Sequence, residues 1–532
     1  MELIVEGNIS NKIGNKIIKF FNRHSNLEKS LLPKSTKNGK DYLNQINSSS
    51  IDFKEKSVAN YAGVDFKLYY RLIFYAIQIL IQQPKVADNF VHKGVVKVLQ
   101  DTESKIRIYR KPYECDWWLE TEKFLPPMNN LLSIILYSDA TTFDGIGKTS
   151  GHPVFLTLEN LPNQIQNSPE SNVLLGFLSK IQDSRVKTSE AFQALQREIF
   201  HKCFNIMLRP ILEKSDGLYF RIKGREMMFA ARISFFIANM LKADNITTTY
   251  KLARTLQNTM PYLNLNIYEA CVPDRMHHID LSLFKYQFEF TQEILKDIRG
   301  LDLLKVFDDR LHQIPQFPDL KLVSKIDHLK VVTTADYRHI MKVALFAVDN
   351  IFEKWNQITY DELCNLYVKF SKMYIMSRKE SYTENELKVF EDAIIDWCAD
   401  FKKIFSTLSV TECSFPKLHI AAICKYGALN GLSTETYETL HKYYVKNPYR
   451  SSNQKEVMKQ IVKRKELTPS DRKLIYHTFL DASSQESKND KFCIKVYESV
   501  HLENGQILRT SKKFQGKEWF SNVAVTPTED QE

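Results

Sequence analysis

Leu131 to Tyr137 reads LLSIILY, an apolar run broken only by Ser133. A run of this length without period-two alternation fits a strand covered on both faces. Such a strand needs a layer on either side, which confines the chain to architectures of sheet and helix. The run ends in Ser138-Asp139, and TTFDGIGKTSGH follows, a turn-rich loop with three glycines. Pro153–Leu158 (PVFLTL) and Val173–Leu178 (VLLGFL) predict a second and a third strand. Residues 131–178 are therefore expected to form an antiparallel meander, with Asp139 at the end of its first strand.

A second stretch, CVPDRMHHIDLSLFKY from Cys271 to Tyr286, carries Asp274, His277, His278 and Asp280. Leu281, Phe284 and Phe288 recur at helical spacing. Upstream, Leu263, Leu265 and Ile267 alternate with polar residues, as in a half-buried strand. Asp274 is thus expected where a strand ends and a helix begins, with His277 one turn on and on the same face. Two roles are open to this pair. An Asp and a His on one spot can hold a metal ion or handle a proton; an Asp at a helix start can simply cap it, beside solvated histidines.

The rest of the chain reads as follows. Residues 1–60 are rich in Asn, Ser and Lys and suggest a loose lead-in with a short helix near Ile13–Phe21. Two helices are expected between Lys67 and Leu99, the first carrying LIFYAIQILI, which is too short to span a bilayer. The Asp116-Trp117-Trp118 cluster fits an anchor to the core better than a binding platform. Helices are expected over Glu190–Leu212 and Met227–Leu241, with a strand or hairpin arm at Gly217–Gly224 between them. From Leu283 to Leu408 the pattern is almost all helix. Phe415–Gly427 suggests another helix, and Glu435 and Glu438 lie a turn apart in the segment that begins at Thr434. A basic stretch, Arg450, Lys455, Lys459, Lys463, Arg464 and Lys465, precedes strand-like segments and an acidic tail. The basic residues are read either as phosphate contacts or as a solvated helix face.

Composition narrows the function. A chain of 532 residues with 43% hydrophobic content suits two or more compact units. No Gly-x-Gly-x-x-Gly and no full phosphate loop is present, and glycines number 16, so no nucleotide cofactor is expected. A net charge of +10 suits an anionic partner such as nucleic acid. The eight cysteines include no C-x-x-C, which argues for a reduced compartment and against zinc. MELIVEGNIS lacks signal architecture, so the chain is expected in cytoplasm or nucleus, not secreted and not in a membrane.

Three acids then stand out: Asp139 and Asp274 at expected strand ends, and Glu435 on a late helix. Their order resembles the layout of an RNase H-like nuclease core. There, three carboxylates gather two divalent cations about 3.5–4 Å apart, one for the attacking oxygen and one for the leaving oxygen. Hard oxygen ligands suit Mg²⁺ or Mn²⁺.

Five segments, in order, resemble the Plavaka-type DNA transposases, a fungal group related to the CACTA transposases. They are CDWWLET at 115–121, IILYSDATTFDGIGKTSGHPVFLTLENL at 134–161, NVLLGFL at 172–178, PDRMHHIDLSLFK at 273–285 and FPKLHIAAICKYGALNGLSTETYETLHKYYVKNPYRSSN at 415–453. By this resemblance Asp139 and Asp274 match the first two catalytic acids, His277 the histidine that accompanies the second, and Glu435 the third, with Glu438 as the alternative. Departures exist. The zinc-finger-like module of the family is not found in this sequence, the region between the first two acids lacks its Cys-x-x-Cys, and Ser282 stands near the family's glycine.

The resemblance implies an α/β fold: an RNase H-like mixed-sheet core interrupted by a large α-helical insertion. Around it the expected divisions are a lead-in at 1–60, an N-terminal helical region at 61–125, the first part of the core at 126–282, the insertion at 283–414, the final core helices at 415–470 and a small β-rich appendage at 471–532. It implies a nuclear DDE-type DNA transposase that cleaves and joins DNA strands with two Mg²⁺ or Mn²⁺ ions. DNA would be its partner, self-association a further option. The alternative function is a transposase-derived DNA-binding or scaffold protein without catalysis.

Overall fold

A computed structural model describes residues 4, 9–24, 32–45, 53–100, 105–144, 149–178, 189–238, 274–299, 301–315, 317–318, 320–322, 333–351, 357–409, 413, 421–453, 457–465, 499–501, 507–509, 513–514 and 517–518. Two helices open it, α1 (Asn11–His24) and α2 (Thr36–Gln45). The strands β1 (Phe53–Tyr61) and β2 (Val64–Arg71) then form a hairpin. Its turn places both Ala62 and Gly63 at positive φ, the twist that suits a two-residue hairpin. Lys67 therefore lies in a strand, where the sequence suggested a helix, and the region expected to be helical begins with the edge of the main sheet. The apolar helix α3 (Ile73–Ile81) follows.

The strands β3 (Lys97–Gln100) and β4 (Lys105–Tyr109) belong to a separate small sheet. Helix α4 (Asp116–Lys123) buries Trp118 completely, in keeping with an anchoring role. The expected meander comes next: β5 (Asn130–Ser138), the two-residue β6 (Thr141–Thr142), β7 (Ser150–Leu158) and β8 (Asn172–Leu178). β5 pairs antiparallel with β7, and β7 with β8. After the long helix α5 (Glu190–Glu213), β9 (Leu218–Ile222) and β10 (Arg225–Ala238) form a second hairpin, turning at Lys223 and Gly224, both at positive φ. The large sheet runs β1-β2-β8-β7-β5-β10-β9, with β6 paired to β7. It is mixed, because β10 lies parallel to β5.

β10 corrects an expectation. The apolar run Met227–Leu241 suggests a helix, yet the chain to Ala238 is extended. Phe229, Ala231 and Ile233 face one core, and Phe235 and Ile237 face the other. The flip comes from an extra residue at Ser234, where the pairing with β5 slips. That bulge, added to burial on both faces, erases the period-two signal. In β5 the alternation is intact: Ile134 and Leu136 face α3 and α5, and Ile135 and Tyr137 face the later helices.

Those later helices start with wide π-type turns at Met276–Phe284 and continue as α6 (Lys285–Arg299), α7 (Leu301–Gln313), α8 (Thr334–Val348), α9 (Gln357–Ser377) and α10 (Glu384–Phe405). A two-residue strand, Tyr382–Thr383, joins the small sheet. Thr333 and Thr383 start α8 and α10 through reciprocal bonds with Asp336 and Glu386. Trp397 Nε1 donates to Gln287 Oε1 at 2.8 Å between α10 and α6. The block is helical as expected.

Of the expected Phe415–Gly427 helix, α11 (Ala421–Tyr426) is described. Helix α12 (Glu435–His441) runs through π-type turns (Lys442–Lys446) into Asn447–Ser451, and α13 (Val457–Lys465) follows. α12 lies on the sheet: Tyr437 stacks on Tyr137 at 4.6 Å, and His441 lies against Tyr137 and Phe155. The Tyr444 hydroxyl donates to the Asn172 carbonyl at 2.7 Å. The expected strand at 263–267 lies outside the described residues, and only short strand pairs represent the C-terminal appendage. No described helix is long and apolar enough to cross a membrane.

Glu159 is wholly buried at the end of β7, bonded to the Ser133 hydroxyl, and burial pushes its carboxyl up to about 7 from 4.5. The unfolded chain ionises first as pH rises, so the fold loses stability between those values and does not regain it above them. Glu159→Gln removes this titration. The variant is expected to gain about 3 kcal/mol relative to the native chain between pH 4.5 and 8, measured by urea unfolding at both ends.

Candidate active site

Asp139 directly follows β5, half-buried at the end of the meander's first strand. Asp274 opens the π-type turns and is 3% exposed. A buried carboxylate needs its charge matched by donors, and this one has several. Its oxygens accept from the backbone N–H of Met276 at 3.3 Å and of His277 at 2.9 Å, which caps its own helix. They also accept from the Thr434 N–H and the Thr434 hydroxyl, each at 2.7 Å. The His277 Nδ1 closes on Asp274 Oδ2. Both roles open from the sequence are thus present in one side chain: a helix cap, and half of an Asp–His pair.

No sequence pattern singles out Thr434 as a site residue. It precedes Glu435 and lies 160 residues beyond its partner. A short polar residue ahead of a helical segment is a local capping signal, but nothing local points to Asp274.

With Nδ1 engaged, His277 turns Nε2 toward Glu438 Oε1 at 3.7 Å. Burial raises the Glu438 carboxyl above its ordinary value; His277 opposes this, and the charges of Asp139, Asp274 and Glu435 add to it. Burial disfavours charge on His277, but the hydrogen bond and charge of Asp274, with Glu438 and Asp139, outweigh it and raise the imidazole. Burial likewise opposes the Asp274 carboxylate, and its bonds to His277 and Thr434 hold it below its ordinary value. Asp139, Asp274, His277 and Glu438 therefore form one electrostatic cluster drawn from three parts of the chain.

Glu435 stands apart from that cluster. Its carboxylate takes Arg338 Nη1 at 2.7 Å and Nη2 at 3.0 Å, and Arg275 lies 3.7 Å away. The Arg338 hydrogen bond holds its carboxyl below the ordinary value. Arg338 also binds the wholly buried Asp280 through Nε and Nη2, both at 2.7 Å. Glu435, favoured from the sequence over Glu438, thus faces guanidinium, and Glu438 faces the Asp–His pair. Residues three apart differ by about 60° around a helix, enough to aim them at different neighbours.

The basic stretch is only partly described. Arg450 is half-buried and Lys459 exposed on α13. Lys455 lies outside the described residues, as do the side chains of Lys463, Arg464 and Lys465. Arg275, Arg338 and Arg378 crowd the acids, and no sequence pattern singles them out as site residues. Arg275 sits beside Asp274 in the chain, but no local pattern marks the other two.

As they stand, no three described His, Cys, Asp or Glu side chains are close enough to hold a metal ion. The donor set nonetheless fits Mg²⁺ or Mn²⁺ in kind: three hard carboxylates whose like charges a cation would relieve.

Residues 36–242 match the family model of the Plavaka transposase. Over that region the chain is similar to the Plavaka-type transposases. The match covers three of the five resembling segments, those at 115–121, 134–161 and 172–178. It includes Asp139 and stops short of Asp274 and the late acids. No curated protein matches the chain.

The Asp274–His277 pair has a defined pH window. A raised imidazole stabilises the fold below its ordinary value near 6.5, and that contribution is lost as pH rises through the folded value. A depressed carboxyl stabilises above its ordinary value near 3.8, and that is lost as pH falls through the folded value. In chelator, His277→Gln is expected to cost most stability between about pH 4 and 6.5 and least at alkaline pH. Thermal unfolding of both proteins across pH checks this.

Proposed function

We propose that this chain is the catalytic chain of a DDE-type DNA transposase, built on an RNase H-like core. The observation that carries this reading is the convergence of Asp139, Asp274 with His277, and Glu438 beside the end of a central strand, in a chain with a Plavaka match. The mixed sheet, with its β5–β7–β8 meander and parallel β10, supports the core assignment. A transposase acts on DNA, and in a nucleated cell its place is the nucleus.

Asp139, Asp274 and Glu438 would hold the cations, with Glu435 as the alternative third acid. Bound Mg²⁺ or Mn²⁺ would activate the attacking water or 3′-hydroxyl and neutralise charge on the phosphate. The chain's own residues prepare the site. His277 Nδ1 and Thr434 fix the Asp274 carboxylate in one rotamer. His277 Nε2 faces Glu438, where it can hold that carboxylate or donate to a phosphate oxygen. Arg450, Lys455, Lys459, Lys463, Arg464 and Lys465 supply phosphate contacts along the duplex.

A second reading, a transposase-derived DNA-binding or scaffold protein without catalysis, is favoured by the spacing of the acids, too wide for a cation as they stand. Added metal separates the two. Under the catalytic reading Mn²⁺ raises the unfolding temperature of the native chain and not of Asp274→Asn, because only the folded site binds it.

Nicking of supercoiled plasmid in Mn²⁺ gives the direct test. Asp139→Asn, Asp274→Asn and Glu438→Gln are each expected to lose activity by about 100-fold or more, the scale of removing one charge-stabilising group. Glu435→Gln is expected to lose no more than about tenfold. Nicking that survives in both aspartate variants sinks the catalytic reading.

A further inference from the structure

We propose that Arg275, Arg338 and Arg378 form a docking site for one DNA backbone phosphate, and that Glu435 fills this site in the DNA-free chain. The inference rests on the reading above for DNA as the ligand and assigns a subsite to it.

Three guanidiniums here face two carboxylates. Asp280 is wholly buried and fixed by Arg338. Glu435 shares Arg338 through two hydrogen bonds, yet it is 51% exposed. Arg275 is 4% exposed and stands 3.7 Å from Glu435 and 3.9 Å from Asp280, too far for a good hydrogen bond. Among the described residues its Nη1 has no hydrogen-bond partner. Arg378 is exposed at the rim, donating to the Tyr374 hydroxyl at 3.2 Å, and its charge bears on both Asp280 and Glu435.

Asp280 Oδ1, 3.9 Å from Arg275 Nη1, likewise has no hydrogen-bond partner among the described residues, so the buried pair leaves the guanidinium with an unmade bond beside a carboxylate that is half in water. A phosphate diester offers acceptor oxygens in the fork geometry that Arg338 presents, with reach to Arg275 as well. Glu435 is the movable member, because its carboxylate can swing into solvent while the buried Asp280 cannot. The location suits this exchange. Arg275 follows Asp274, and Glu435 precedes Glu438 by one helical turn. A phosphate here would flank the one placed at Asp139, Asp274 and Glu438. Glu435 then acts as an internal stand-in for DNA.

The test is duplex binding by fluorescence anisotropy in EDTA, across salt concentrations, so that no metal takes part. Glu435→Gln is expected to tighten binding by about threefold to tenfold by vacating the fork. Arg378→Gln, at the exposed rim, is expected to weaken binding and lower the salt slope by about one. Removing any acid near DNA can tighten binding, so the Glu435→Gln change is repeated in Arg338→Lys, which keeps the charge and loses the fork. Loss of the gain in that background supports the site. An equal gain there, or no gain in Glu435→Gln alone, overturns it, as does an unchanged slope in Arg378→Gln. If the native chain binds no duplex even at low salt, the transposase reading fails and takes this site with it.

Discussion

The buried Asp274 carboxylate organises this protein. A charge removed from water is tolerated when donors surround it, and here they come from two segments far apart in the chain. Met276 and His277 supply backbone N–H groups from its own helix. Thr434 supplies a backbone N–H and a hydroxyl from the start of α12. The carboxylate therefore needs α12 in place, and α12 is held by its contacts on the sheet through Tyr437, His441 and Tyr444. Removing one donor would leave the buried charge with a bond unmade, a cost of about 1–3 kcal/mol. Site and fold are coupled through this one group.

Around it the charges separate by sign. Carboxylates gather at the end of β5, where Glu438 joins Asp139 and Asp274. Guanidiniums gather one helical turn away, where Arg338 bridges Asp280 and Glu435. Both groups draw on the same two short stretches, Asp274–Asp280 and Glu435–Glu438. Under the proposed function, the acidic groups would attract the cations and the basic groups beside them the phosphate backbone.

Much of this was legible in the sequence. The LLSIILY run announced a strand covered on both sides, and the meander β5–β7–β8 followed from short apolar runs with turns between them. The placement of Asp139 after β5 and the His277 contact with Asp274 follow from the periods of strand and helix. These are local properties, set by spacing along one element. β10 was misread for a local reason as well: the bulge at Ser234 reverses its alternation, and an apolar run covered on both faces carries no period of its own.

What the sequence by itself determined is the set of elements and the acids that end or begin them, because side-chain periodicity and capping act over a few residues. What only the tertiary structure decided is which of those groups meet. Thr434 reaches Asp274, Glu438 turns to His277, and Glu435 turns to an arginine 97 residues away on α8. A step of three along one helix separates Glu435 from Glu438, and the sequence treats them as near equals. Packing of α12 on the sheet sets the rotation of that helix, and the rotation sends one acid to the aspartates and the other to the guanidiniums.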